Sequence, residues 1–220
     1  MASTPAFGHL NPLLTIARMA RARGDEIVLT TASVLTPKVI EASIRFLALA
    51  PEADLDLRRI EDFAPERANI PPGPLRLAFD FRRLFLDSMP AQAATLWSLI
   101  ASEVPDPLLV DQTFCGSTPL FLDRARPRPP LVMLGVTFLP LARPDGAPMG
   151  LGLPPAENAD TRARYVGVAA QVDAVFTTPV RARADQILTA TGFPPLSPAL
   201  MEARVLHCDR YLMPAVPGFE

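Results

Sequence analysis

The segment Phe7-Gly8-His9-Leu10-Asn11-Pro12 constrains the fold more than any other stretch, because it puts a helix start directly behind the first few residues. Pro12 suits the first position inside a helix, where its missing N–H is not needed, and Asn11 suits the cap before it. Leu13, Ile16, Ala17 and Ala20 then recur at helical spacing, with Arg18, Arg21 and Arg23 largely off that stripe, and Gly24 supplies a stop. Residues 1–4 read as the tail of a shortened strand. A strand followed at once by such a helix is the unit of a wound α/β sheet, whose turns at the carboxyl ends of the strands are where ligands bind. His9 belongs to the first of these turns.

The rest of the chain repeats the pattern. Ile27-Val28-Leu29 is a short apolar run suited to a strand buried on both faces, Thr36-Pro37 opens a second helix, and 45–49 reads as a third strand. Residues 51–74, polar and rich in proline, predict a long loop with one helical turn. Helices are expected over 75–87 and 90–103. Leu108-Leu109-Val110 predicts a strand that closes on Asp111, followed by a short helix over 118–124 and a strand over 131–136. A Gly- and Pro-containing loop at 145–155 precedes a helical stretch over 159–191, interrupted near Pro179. A last strand is expected over 209–213, with 214–220 as an extended exit. The expected fold class is α/β, a Rossmann-like doubly wound parallel sheet.

The 220 residues, 49% hydrophobic and 20% charged, can bury one substantial core. A net charge of −2 leaves no basic surplus for a phosphate backbone, so no nucleic acid partner is expected. Lys38 is the only lysine among 21 basic residues. Cys115 and Cys208 are too few for a disulfide framework and match no metal-ligand spacing, which predicts reduced thiols and no metal. The start lacks the basic residues and long apolar run of a signal peptide, and the longest apolar stretch, 131–142, is too short to span a bilayer. The expectation is a cytoplasmic protein without a membrane span.

Two polar residues fall where such a sheet puts function. A neutral imidazole at His9 can take a proton from a hydroxyl as a bond forms to that oxygen, and a carboxylate at Asp111 would fix its tautomer. A histidine at a helix start beside a solvated aspartate explains the same spacing without chemistry. Gly8 is the only glycine of the turn, so there is no G-x-G-x-x-G fingerprint or P-loop, which counts against a dinucleotide oxidoreductase. Phe79, Phe81, Phe85, Met89, Phe114, Phe138 and Met149 are candidates to line an apolar pocket; at helical spacing such residues more often form core, so Phe114, Phe138 and Met149, on loops after strands, are the better placed.

Gly8-His9-Leu10-Asn11-Pro12-Leu13 with Arg23-Gly24, Phe85-Leu86-Asp87-Ser88-Met89-Pro90-Ala91-Gln92, and Val110-Asp111 with Phe114 and Gly116 form an ordered set. Gly150-Leu151-Gly152-Leu153-Pro154 and Val216-Pro217-Gly218-Phe219-Glu220 complete it. Together they resemble the N-terminal, acceptor-binding domain of macrolide-type, UDP-dependent glycosyltransferases with the two-domain GT-B fold. The resemblance implies an inverting transfer from a nucleotide sugar, a UDP-sugar, to a hydroxyl of a small apolar acceptor of polyketide or phenolic type. It implies His9 as catalytic base and Asp111 as its partner. Acceptor contacts would come from Phe7, Phe85, Met89, Phe114, Phe138 and Met149, and donor contacts from Gly8 and Asn11. No metal and no cofactor beyond the co-substrate is implied, since a second domain of the family holds the diphosphate at a helix N-terminus.

On this reading residues 1–213 form the acceptor-binding domain and 214–220 begin the interdomain linker. Two departures carry expectations. Relatives have a longer first strand, so this chain by itself would be only marginally stable. Relatives also continue beyond Glu220 into the donor domain, so the 220 residues alone would neither hold the donor tightly nor turn over. An alternative is a non-catalytic helper or acceptor subunit that works with a separate donor-domain chain. A third is a Rossmann-type nucleotide binder of unrelated chemistry.

Overall fold

The computed structural model describes residues 1–215. Strand β1 (Val28–Thr31) pairs in parallel with β2 (Arg45–Ala48), and β3 (Leu108–Asp111), β4 (Leu131–Leu134) and β5 (Arg210–Leu212) form a second parallel set. The first residues of the chain join the two sets. Thr30 donates its N–H to the Met1 carbonyl at 2.9 Å and Ser3 N–H returns to the Thr30 carbonyl at 3.0 Å. On the other side Ala2 N–H donates to Leu109 O at 2.9 Å, and Asp111 N–H to Ala2 O at 3.1 Å. Residues 1–3 therefore hold the place of a short central strand, and the order is β2, β1, residues 1–3, β3, β4, β5. The chain winds outward on one side and then crosses to the other. The reversal falls between residues 1–3 and β3, the position where open α/β sheets bind ligands.

Helix α1 (Phe7–Arg21) covers one face of this sheet. Its Leu10, Leu13, Leu14 and Ala17 are at most 4% exposed and pack with Leu29, Leu109 and Leu134. Each such leucine contributes about 2 kcal/mol by leaving water. The helix begins five residues earlier than Asn11-Pro12 predicts. Ala6 is the cap, extended at φ −134° and ψ 140°, and its carbonyl accepts the N–H of His9 and Leu10. Pro12 sits inside the helix, and the carbonyl deprived of its donor belongs to exposed Gly8. Helix α2 (Thr36–Glu41) lies on the same face through Val39.

The segment 51–74 holds more structure than one helical turn: 3-10 turns at Pro51–Ala53, Leu57–Arg59 and Pro65–Asn69, and the short α3 (Ile60–Phe63). Helix α4 (Pro74–Asp80) passes into a wider π-type winding over Phe81–Leu86 and then into α5 (Met89–Glu103). After the short α6 (Thr118–Leu122), α7 (Ala159–Val172) passes through a second π-type segment, Asp173–Thr177, into α8 (Thr178–Ala190). The expected interruption near Pro179 takes the form of this π-type segment, which parts the two α-helices just before that residue while the winding continues. The two π-type segments meet: Phe81 lies 5.0 Å from Phe85 and 5.6 Å, edge to face, from Phe176. Helix α9 (Leu200–His207) was not foreseen.

Leu108, Val110, Leu131 and Met133, on the sheet face opposite α1, form the larger core with α5, α6, α8 and α9. Residues 216–220 lie outside the described residues, and with them the Val216-Pro217-Gly218-Phe219-Glu220 motif and most of the expected linker. Among the described residues no helix is long and apolar enough to cross a membrane.

Candidate functional site

Residues 1–3 and β3 are sheet neighbours, so the turn leaving the former and the carboxyl end of the latter must meet. His9 stands in the first turn of α1, not in a loop before it, and Asp111 is the last residue of β3. His9 Nδ1 lies 3.1 Å from Asp111 Oδ1. The carboxylate is fully buried, while the imidazole side chain keeps 17% of its surface exposed. Because Asp111 accepts from Nδ1–H, the free lone pair of the neutral ring lies on Nε2. Among the described residues Nε2 has no hydrogen-bond partner.

Two threonines complete the site, and sequence reasoning passed over both. Thr113 donates its amide and its hydroxyl to Asp111 Oδ1, each at 2.8 Å, and its hydroxyl oxygen lies 3.0 Å from His9 Nδ1. Thr4 donates its amide to Asp111 Oδ2, and its hydroxyl lies 3.0 Å from that of Thr113. The signal for Thr113 was readable, since in Asp111-Gln112-Thr113 the aspartate accepts the N–H two residues on, an Asx turn. Burial alone would raise the Asp111 carboxyl. The His9 ring, the Thr4 amide and the Thr113 hydroxyl outweigh it and hold the carboxyl below the usual carboxylate range. The site thus has an ionised, desolvated carboxylate behind a ring whose far nitrogen is available.

The strand end is braced on both sides. Gln112 donates its N–H to Leu134 O at 2.9 Å, its side-chain amide reaches the Thr137 hydroxyl, and Tyr211 donates its hydroxyl to Gln112 Oε1 at 2.8 Å. Gly116 packs close against α5, donating to Gln92 Oε1 at 2.8 Å. Cys115 is not a candidate nucleophile. Burial pushes its thiol up to about 11.

The residues expected to line an acceptor pocket divide. Met89 and Phe114 are 0% exposed and belong to the main core, which corrects the expectation for both: Phe114 turns under α5 instead of into the crevice. Phe85 is half-buried in the aromatic contact with Phe81. Phe7 and Phe138 are 44% and 46% exposed, Lys38 Nζ lies 5.6 Å from the Phe7 ring, and Met149 is half-buried. Gly150, at φ +80°, lets its loop close on Phe138, since a methyl there would lie 2.7 Å from the ring. Gly8 and Asn11 are both exposed. A cavity of about 270 Å³ lies among Glu52, Leu55, Phe63, Arg83, Asp87 and Ser88, none of them foreseen as lining a pocket. Among the described residues no group of three or more His, Cys, Asp or Glu side chains could hold a metal ion.

Over all of its length the chain is 30% identical to UDP-glycosyltransferase 2 of Phaeomoniella chlamydospora, in an alignment of 225 residues that takes in 49% of that protein. The chain is homologous to glycosyltransferases. It is 27% identical over 220 residues to 4'-demethylrebeccamycin synthase of Lentzea aerocolonigenes, covering 100% of this chain and 51% of that one. This glycosyltransferase homologue thus spans about half the length of the curated relatives it matches. A crystal structure of the glycotransferase of kitacinnamycin matches with a TM-score of 0.59 at 18% identity, over 97% of this chain and 44% of that one, so the α/β fold with its parallel sheet is shared. No protein-family profile matches the chain.

Proposed function

We propose that the chain is the acceptor-binding half of an inverting glycosyltransferase, with His9 as general base and Asp111 as the carboxylate that orients it. The contact between His9 Nδ1 and Asp111 Oδ1, with Nε2 unpartnered among the described residues, carries this reading. In the transfer, an acceptor hydroxyl gives its proton to His9 Nε2 as its oxygen forms a bond to the anomeric carbon. The bond from that carbon to the nucleotide diphosphate breaks, and the electron pair leaves with the diphosphate. Attack from the face opposite the leaving group inverts the anomeric centre. Asp111 stays ionised and stabilises the imidazolium formed in this step.

The donor is a UDP-sugar, in line with the name of the fungal relative, and it is held mainly by the other half of the enzyme. The acceptor is a small apolar natural product with a free hydroxyl. The exposed Phe7 and Phe138 are the aromatic side chains best placed to meet such a molecule. Phe85 and Met149, each half-buried, are the remaining acceptor-side candidates, and the exposed Gly8 and Asn11 on the first turns of α1 are the donor-side ones.

Joining this chain to the remaining half of a homologous glycosyltransferase tests the reading. Incubation with an α-linked UDP-sugar and phenolic and polyketide acceptors should give a β-linked product by NMR. An α-linked product overturns the inverting mechanism, and failure to transfer to any hydroxyl acceptor overturns the assignment.

A further inference from the structure

We infer that Arg204, remote in sequence from the site and on a helix the sequence did not reveal, is a positioning residue for the His9–Asp111 pair. Arg204 is fully buried. Its guanidinium donates from Nε to Gln112 O at 3.1 Å, from Nη2 to Phe114 O at 3.0 Å, and from Nη1 to the Thr118 hydroxyl at 2.7 Å. The two carbonyls flank Thr113. A planar guanidinium holds its donors in a fixed fork, so grasping carbonyls two residues apart fixes the turn between them. That turn carries the amide and hydroxyl that Thr113 gives to Asp111, and the oxygen that lies beside His9 Nδ1.

Packing alone does not account for an arginine here. Burying a cation is costly, and an apolar side chain of similar volume fills such a space with less penalty. Among the described residues no carboxylate accepts from Arg204. Its three acceptors all lie on the segment that begins where β3 delivers Asp111. Cys115, on the same segment, lies within reach of the charges of both Arg204 and Asp111. The guanidinium therefore belongs to the electrostatic surroundings of the site as well as to its scaffold.

The inference rests on the reading of His9 as the base, and its test has one readout that does not depend on catalysis. The sequence contains two histidines, so a His207→Gln background leaves His9 as the sole source of imidazole 15N signals. In the wild type those signals should show one tautomer, protonated at Nδ1. Arg204→Lys keeps the charge but loses the fork, and should narrow the separation between the Nδ1 and Nε2 resonances as the tautomers mix. In the joined enzyme the same change should lower kcat about tenfold with the acceptor KM within about twofold. Thr118→Val, which keeps Arg204 and removes one acceptor, should shift the resonances the same way by less, and it decides the matter if Arg204→Lys does not fold. Tyr165→Phe, which removes a buried hydroxyl bonded to Pro154 O at 2.7 Å, should lower the Tm and leave His9 unmoved. Arg204 variants that lower the Tm while the His9 separation stays at its wild-type value overturn the inference. Resonances that respond in an enzyme unable to transfer sugar overturn the glycosyltransferase reading and leave the positioning role standing.

Discussion

Thr113 is bonded twice to the same oxygen of Asp111, by its amide and by its hydroxyl, both at 2.8 Å. The amide bond closes the turn and survives any substitution except proline, whereas the hydroxyl bond depends on the side chain. Thr113→Val therefore removes one donor from a buried carboxylate at nearly constant volume. It should cost about 1–3 kcal/mol in stability and lower sugar transfer about tenfold, and Thr113→Ser should restore most of both. Urea unfolding and initial rates on the three proteins check this.

The depressed carboxyl of Asp111 makes stability depend on pH in a definite direction. Burial opposes ionisation, but His9, Thr4 and Thr113 outweigh it, so the folded pKa lies below the unfolded value of about 3.9. The native state then binds fewer protons than the unfolded chain in this range. The contribution is fully present above about pH 4 and is lost as pH falls from there through the folded value. Asp111→Asn lacks it. Urea midpoints of wild type and variant should differ most at pH 5–7 and draw together below about pH 4. A gap unchanged between pH 6 and pH 3 contradicts the assignment.

Much of this arrangement was legible in the sequence, for identifiable reasons. Leu108-Leu109-Val110 and Leu131-Val132-Met133 sit between covered faces, so the strands appear as unbroken apolar runs. His9 and Asp111 could be singled out because both fall at the carboxyl ends of strands in a wound sheet, and their pairing was implied by the family resemblance. The start of α1 was misplaced because its true cap, Ala6, offers no side-chain acceptor, while Asn11-Pro12 imitates a cap one and a half turns later. Helix α9 was hidden because its buried face includes Arg204, which a search for apolar periodicity counts as surface. Phe114 and Met89 have the composition of pocket residues and the burial of core residues, and only the close approach of the Gly116 turn to α5 decides between the two.

That approach gives a contrast between two glycines. A methyl on Gly116 would lie 2.7 Å from the Gln92 carbonyl carbon and 2.8 Å from Ala93 N, both backbone atoms of α5. Gly116→Ala should therefore destabilise by about 2 kcal/mol or more as the helix is pushed off the turn. Gly167 lies in α7 with nothing within 4 Å of the same added atom. Gly167→Ala should stabilise by about 0.5–1 kcal/mol through a stiffer unfolded chain. Tm values that move in opposite directions confirm the contrast.

Helix α7 supplies a prediction away from the site. Asn158 is its cap, with the side-chain carbonyl accepting from Thr161 N at 2.8 Å. Asn158→Ala should cost about 1 kcal/mol, Asn158→Asp should be tolerated, and neither should alter sugar transfer by more than about twofold. Denaturation midpoints and initial rates measure both.

The free nitrogen of His9 is the centre of the proposed chemistry. Its most direct measurement is the rate of sugar transfer by His9→Ala in the joined enzyme under saturating donor and acceptor. Loss of a positioned general base predicts a fall in kcat of about 10²–10⁴-fold, with an unchanged fold by circular dichroism. A variant that keeps kcat within about twofold of the wild type would contradict a base at His9.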